Sequence, residues 1–167
     1  MERSFNIFQD WERNKGNNKA RFILCLFRIA NLASLNKLYF FLLLPYNMFY
    51  RLWVEWIFCC ELPFKTVAGR GLVIFHGQAL VVNCETIIGS NCTLRPSTTI
   101  GNKELSEGIY SASPIIGNNV DIGSNVCIIG PITIGDNVKI GAGSVVVKNV
   151  PSNCIIAGNP ARVIKTL

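Results

Sequence analysis

Residues Ile115 to Val147 read IIGNNV-DIGSNV-CIIGPI-TIGDNV-KIGAGS-VVV, and the second residue of each group is aliphatic. The column continues towards the N-terminus, giving Val82, Ile88, Leu94 and Ile100, then Ile116, Ile122, Ile128, Ile134, Ile140 and Val146. Glycine follows at Gly89, Gly101, Gly117, Gly123, Gly135 and Gly141. Neither an α-helix nor an ordinary sheet has a period of six. A chain that turns a corner every six residues does, because one inward aliphatic side chain per face fills a three-sided prism. Three faces make a coil of about eighteen residues, and stacked coils make a parallel β-helix. Each coil needs its neighbours to bury its inward side chains, so the repeat predicts a solenoid.

One gap interrupts the series. Sixteen residues separate Ile100 from Ile116, so about ten, within Asn102–Pro114, are expected to leave the prism as an extended loop. Glu61–Leu80 reads as a first coil out of register with the rest, and Lys148–Leu167 closes the far end. Positive φ is expected at Asn91, Asn118, Asn119, Asn125 and Asn137, where the chain turns. Before the prism, residues 1–19 are polar and expected to be poorly ordered. Ala20–Ser34 predicts a helix, and Leu38–Cys60 one or two more, broken near Pro45. The division is therefore a helical segment over 1–60 and a mainly β domain over 61–167. A solenoid exposes unpaired backbone at its ends, so the helices are expected to cap one of them.

The chain has 167 residues, half of them hydrophobic, which is room for one solenoid and a short extra element. Its net charge of +6 is unevenly placed. Residues 1–65 carry nine Lys/Arg against five Asp/Glu, and residues 66–167 seven against five. No like-charged run accompanies this, which argues against nucleic acid as a partner. A solvated helix face is the plain reading of the basic, aromatic N-terminus. Peripheral contact with an anionic membrane or an acidic glycan is the sharper one. The seven cysteines are odd in number and form no CxxC pair, as expected of buried free thiols in the cytoplasm. One histidine leaves no zinc ligand set, so no metal is expected. Met1–Lys19 is too polar for a cleavable signal peptide. The apolar run Leu38–Tyr46 is far shorter than the roughly 20 residues of a spanning helix. Asn47, Arg51 and Glu55 recur every four residues as one polar stripe. Such a helix is expected to pack against protein on most sides, with a one-leaflet membrane contact as the alternative.

Hexapeptide periodicity gives shape and no activity. With Ile140-Gly-Ala-Gly-Ser-Val-Val146 and Ala157-Gly-Asn-Pro-Ala-Arg-Val-Ile164, however, the chain resembles the left-handed β-helix acyltransferases that use acetyl-CoA. Gly69-Arg-Gly-Leu-Val-Ile-Phe-His76-Gly is similar to serine acetyltransferases and the related sugar and polysaccharide O-acetyltransferases. From about residue 20 onwards the resemblance is to the colanic-acid-biosynthesis acetyltransferases. It implies a left-handed parallel β-helix, a homotrimer with sites between neighbouring prisms, and acetyl-CoA as co-substrate.

Acetyl transfer to a hydroxyl needs a base of near-neutral pKa to take the proton as oxygen attacks the thioester. Imidazole suits that task, and His76 is the sole histidine. A satisfied core histidine is the competing reading. Glu61 precedes it by fifteen residues, close to one lap, so it can sit near the imidazole. The resemblance assigns the matching position, Asp in serine acetyltransferases, to the partner of the base, as in a Ser-His-Asp arrangement. A solvated charge at a helix end is the alternative for Glu61.

Two departures bear on the acceptor. Serine acetyltransferases carry Asp just before the histidine, where this chain has Phe75, and Asp-Arg-His-Pro where it has Ser111-Ala-Ser113-Pro114. The resemblance assigns those side chains to the ammonium and carboxylate of the amino acid. An aromatic at 75 cannot pair with ammonium but can stack on a sugar ring, which favours a sugar or polysaccharide-precursor hydroxyl. Ser113 and the loop residues Tyr110, Glu104 and Glu107 are candidate acceptor contacts, with a solvated loop as the alternative.

Ser124, Ala142 and Pro160 are eighteen apart, so they are expected to stack along one edge where a pantetheine arm can lie. Lys148, Arg162 and Lys165 crowd the C-terminal end, as expected of a patch for the 3′-phosphate and pyrophosphate, unless they are merely solvated. The resemblance points to Ala142, Lys148 and Lys165 there, and Gly158 of the closing motif joins the expected set. Direct attack needs no acyl-enzyme, which leaves a Cys84 or Cys92 nucleophile without a task. The expectation is thus an acetyl-CoA-dependent O-acetyltransferase on a sugar hydroxyl. Serine O-acetyltransferase is the second enzyme reading, and a non-catalytic β-helix scaffold the reading outside enzymes.

Overall fold

The computed structural model describes residues 6–167. Three narrow parallel sheets wall a prism of about five turns. The first face stacks Cys60–Glu61, Leu80–Val82, Thr99–Gly101, Cys127–Ile129 and Val145–Val146. The second stacks Val67–Ala68, Ile87–Ile88, Ile115–Ile116 and Thr133–Ile134, extended by a bridge from Ile134 to Val150. The third stacks Val73–Ile74, Thr93–Leu94, Asp121–Ile122, Lys139–Ile140 and Cys154–Gly158, and Ala161–Thr166 folds back antiparallel on its outer edge. The whole six-residue series points inward, and its most accessible member, Ile140, is 3 % exposed.

The laps are unequal. Asp121 pairs with Lys139 and Cys127 with Val145, the regular eighteen. Thr99 pairs with Cys127, twenty-eight on, because the insert adds ten. The first lap is twenty, Cys60 to Leu80, and the last sixteen, Lys139 to Ile155. The insert is not the unstructured loop expected from its lack of periodicity. Glu104–Ser106 and Ile109–Tyr110 pair as an antiparallel hairpin on the edge between the first and second faces. Local pairing satisfies backbone groups that the prism cannot reach.

Corner chemistry explains the Asn and Gly content. Asn91, Asn119, Asn125, Asn137 and Asn153 take positive φ. Asn119 donates to Asn137 at 3.0 Å and Asn137 to Asn153 at 2.8 Å, a ladder of amides up one edge. Asn118 corrects the expectation for it: it lies outside the left-handed region, and its side-chain oxygen accepts from the Ser90 N–H at 2.9 Å. At Gly117 a Cβ would come within 2.5 Å of Asp136 Oδ1 and 2.8 Å of the Gly135 carbonyl carbon, so the stacking itself demands glycine.

The N-terminal cap comprises α1 (Asn18–Asn31), a 3-10 turn (Leu32–Ser34), α2 (Lys37–Leu42), α3 (Leu44–Tyr50) and a π-helical stretch (Arg51–Ile57). Pro45 sits in the first turn of α3, where its missing N–H costs nothing, so the expected break falls before it. α1 buries Ile23, Leu24 and Phe27 against the first coil in one continuous core. Within residues 6–19 the expectation of poor order is overturned; residues 1–5 lie outside the described part. Asp10 and Asn14 are buried because they satisfy the open end of the prism. The Leu72 N–H donates to Asp10 at 2.9 Å, and the Asn14 side chain donates to the Leu72 carbonyl at 2.8 Å. Asn17 caps α1 and also donates to the Ile74 carbonyl. Arg28 pairs with Asp10 at 2.8 Å and donates to the Ala68 and Gly69 carbonyls, both at 2.7 Å.

The polar stripe also differs from expectation. Asn47 is buried against the protein, whereas most of the large apolar side chains of Leu38–Ile57 face outward. No helix among the described residues is long and apolar enough to cross a membrane.

Candidate functional site

His76 stands on the edge between the third and first faces. Ile74 pairs with Leu94, twenty on, but Val81 pairs with Thr99, eighteen on, so this corner holds two extra residues. They are accommodated by positive φ at His76 (62°), Gly77 (58°) and Ala79 (51°). The Gly77 N–H donates to the Phe75 carbonyl at 2.7 Å, closing a three-residue turn with His76 at its apex. A turn of that kind with positive φ at the centre is the rare, strained form. Gly77 is tucked beneath α1, where a Cβ would lie 3.2 Å from Ile23 Cδ1 and 3.3 Å from Ile74 Cγ2. Its burial pushes His76 outward, and the imidazole is exposed rather than part of the core.

The same edge carries Pro96, Ser124 and Ala142 in register, with Ser97, Asn125 and Gly143 following them. The Ser97 N–H donates to the Gln78 carbonyl, Asn125 to Pro96, and Gly143 to Ser124, at 2.9–3.0 Å. The histidine thus begins a row of small residues running towards the C-terminal end. Pro160 does not continue it, a correction that follows from the shortened last lap. With Lys139 on Ile155, Ala142 is followed by Gly158 sixteen residues on, and the Gly158 N–H donates to the buried Ser144 hydroxyl at 3.2 Å. Beyond it, Arg162 pairs with Ala157 and Lys165 with Ile155. An irregularity between them turns both basic residues to the same side. Lys148 is exposed in the last coil on a different edge, the one that carries the hairpin.

Glu61 lies on the first strand of the first face, in register with Val81 because the first lap is twenty. Among the described residues it makes no hydrogen bond or ion pair with His76. Its neighbour Cys60 is close to the neighbour of His76: the sulfur is 3.9 Å from where a Gly77 Cβ would stand. Glu55 is also near. Burial pushes its carboxyl up, the Arg51 hydrogen bond pulls against that, and the Glu61 charge adds to the rise.

Phe75 is 41 % exposed beside the histidine, with the Arg95 guanidinium 5.4 Å from its ring centre. Arg95 also pairs with Asp121 and donates to the Ile122 carbonyl at 3.1 Å. This Phe75–Arg95–Asp121 set is absent from the sequence reading. Finding Asp121 beneath Arg95 needs the twenty-eight-residue lap, which an eighteen-residue count misses. Tyr110 is exposed on the hairpin, away from the histidine edge. Ser113 is 8 % exposed at the hairpin's base, and its hydroxyl donates to Asn83 Oδ1 at 2.9 Å. It is tied to the wall rather than presented free.

Residues 113–148 match the family described as bacterial transferase hexapeptide (six repeats). The chain is 35% identical over 164 residues to "Putative colanic acid biosynthesis acetyltransferase WcaB" of Escherichia coli (strain K12), covering 94% of this chain and 98% of that protein. It is 41% identical over 96 residues to a serine acetyltransferase of Synechococcus elongatus, covering 58% of this chain and 38% of that protein. Soybean serine acetyltransferase, solved in complex with serine, superposes with a TM-score of 0.77 at 24% identity, over 95% of this chain and 68% of that one. That last likeness concerns the fold alone. Near-complete coverage of WcaB together with the hexapeptide match places the chain in the hexapeptide-repeat acetyltransferases, as an acyltransferase on a parallel β-solenoid.

Proposed function

We propose that this acetyltransferase moves an acetyl group from acetyl-CoA to a hydroxyl of a sugar or polysaccharide precursor in the cytoplasm, with His76 as general base. The observation that carries the reading is the exposed imidazole at a strained turn, heading a row of small residues that leads to two basic ones. Acetyl-CoA supplies an acetyl group activated as a thioester. His76 takes the proton from the acceptor hydroxyl as its oxygen bonds to the acetyl carbon, and returns it to the departing thiolate sulfur when the carbon–sulfur bond breaks. Backbone N–H groups at the coil turns stabilise the oxyanion formed between those events. Glu61 steadies the imidazolium by charge from the neighbouring coil. Burial pushes the Cys60 thiol up to about 12 and the Cys92 thiol up to about 11, which makes both poor nucleophiles and supports direct attack.

Ser124, Ala142 and Gly158 make room for the pantetheine arm, and Arg162 and Lys165 meet the phosphates. Lys148 and Tyr110 occupy the other edge, so they reach that ligand and acceptor from a neighbouring prism. Exposed Val81, Ile87 and Ile115 on the outer walls give such a neighbour apolar surface to cover. This supports a homotrimer. Phe75, braced by Arg95, offers a face for a sugar ring and no carboxylate for an ammonium. Serine remains the second reading because of the 41% match to a serine acetyltransferase.

Thiol release from acetyl-CoA is the test, with L-serine and a panel of sugars and nucleotide sugars as acceptors. Turnover with a sugar and none with serine is expected, and sedimentation of the same sample should give about three times the chain mass. Rapid serine turnover overturns the argument from Phe75, and absence of acetyl-CoA binding by calorimetry favours the scaffold.

A further inference from the structure

The helical cap is built inside out. From Leu44 to Ile57 the side turned to the protein holds Asn47, Tyr50 and Val54. The Asn47 amide is buried with no hydrogen-bond partner among the described residues. The outer side holds Met48 and Trp56, at 71% and 68% exposure, with Phe49, Leu52, Trp53 and Ile57 between and beside them. In α2, Leu38, Tyr39, Phe40, Phe41 and Leu42 are all exposed. Five consecutive residues go right round a helix of about 3.6 residues per turn. A folded partner covers one side of such a helix; a fluid apolar medium surrounds it. Even the longest continuous helix here, α3 running into the π-helical stretch over residues 44–57, spans only about 20 Å at roughly 1.5 Å per residue, short of a bilayer core of about 30 Å. Tyr and Trp in the set are the types that settle at a membrane–water boundary.

A second feature stands at the foot of α2. A cleft of about 470 Å³ separates the cap from the first coil, lined by Ser34, Asn36, Lys37, Phe40, Phe64 and Lys65. Two ammonium groups and the Asn36 amide NH2 suit a phosphate, while the Ser34 hydroxyl donates to the Asn31 carbonyl at 2.7 Å, and Phe40 belongs to both the cleft and the apolar surface. The only carboxylate from residue 34 to 58, Glu55, is occupied by Arg51 at 3.2 Å. We propose that α2, α3 and the π-helical stretch form a one-leaflet anchor in an anionic phospholipid bilayer, with a lipid phosphate seated between Lys37 and Lys65. The proposal does not depend on the acetyl-transfer reading.

Flotation of the full chain with vesicles tests it, using equal parts phosphatidylglycerol and phosphatidylethanolamine against phosphatidylcholine alone. The wild type is expected to float with the anionic vesicles and far less with the neutral ones. Phe41→Glu with Trp56→Glu should abolish flotation while circular dichroism stays unchanged, since both side chains are about two-thirds exposed. Lys37→Ala with Lys65→Ala should weaken it by roughly tenfold or more. A wild type that stays at the bottom of the gradient overturns the proposal. So does a concentration-dependent self-association that Phe41→Glu abolishes while flotation is unchanged, because a second copy then covers this surface. Undiminished flotation of the lysine variant overturns the phosphate seat.

Discussion

His76 is the residue on which the proposed chemistry turns, and its backbone explains its position. Two extra residues in one corner force positive φ at three positions, and a buried glycine levers the imidazole into solvent. The cysteines show the opposite treatment. Burial raises Cys60 to about 12 and Cys92 to about 11, whereas Cys59 is exposed. At pH 8 a maleimide should therefore label Cys59 rapidly and leave Cys60 and Cys92 unlabelled until the chain is unfolded, as mass spectrometry would show. Equal labelling of all three in the folded protein contradicts their burial. A thiol whose folded pKa is raised favours the fold while it stays protonated. That contribution is complete below the ordinary thiol range near 8.5 and is lost as pH climbs towards 11 and 12. His76 was legible in the sequence as a lone imidazole in a recognisable motif. The register of Glu61 opposite Val81 was not, because counting by eighteen hides a first lap of twenty.

The cap and the coils are joined by polar groups placed on open carbonyls, as an unpaired solenoid end requires. Arg28 and Asp10, 2 % and 3 % exposed, are the centre of that junction. Arg28→Ala leaves Asp10 buried without its cation and the Ala68 and Gly69 carbonyls without a donor. It should cost about 3–5 kcal/mol in urea unfolding. Arg51→Ala, where the arginine is 61 % exposed although Glu55 is 11 % exposed, should cost no more than about 1 kcal/mol. Comparable losses in the two variants would contradict the assigned junction. The six-residue period exposed the coils and the position of the insert, and the need for a cap followed from the open end. Period could not reveal the hairpin, whose pairing is local, or the ordered stretch around Asp10 and Asn14, whose partners lie about sixty residues away. The helices fall where the sequence placed them, but Leu38–Ile57 does not pack against protein on most sides as expected, since a stripe of polar residues does not say which side faces the protein.

Taken together, the prism separates its parts by edge. His76, the small-residue row and the basic strand Ala161–Thr166 share one edge or its end, and the Tyr110 hairpin and Lys148 share another. In the proposed trimer each chain would therefore present two half-sites, which neighbouring prisms bring together. The base itself admits a direct test that needs no knowledge of the trimer. Thiol release from acetyl-CoA is compared between wild type and His76→Ala, with the acceptor that the wild type uses best and with acetyl-CoA affinity measured by calorimetry on the same samples. Turnover should fall by roughly 10²–10⁴ while acetyl-CoA affinity holds within about twofold. Wild-type turnover in the variant would show that the imidazole takes no proton in the reaction.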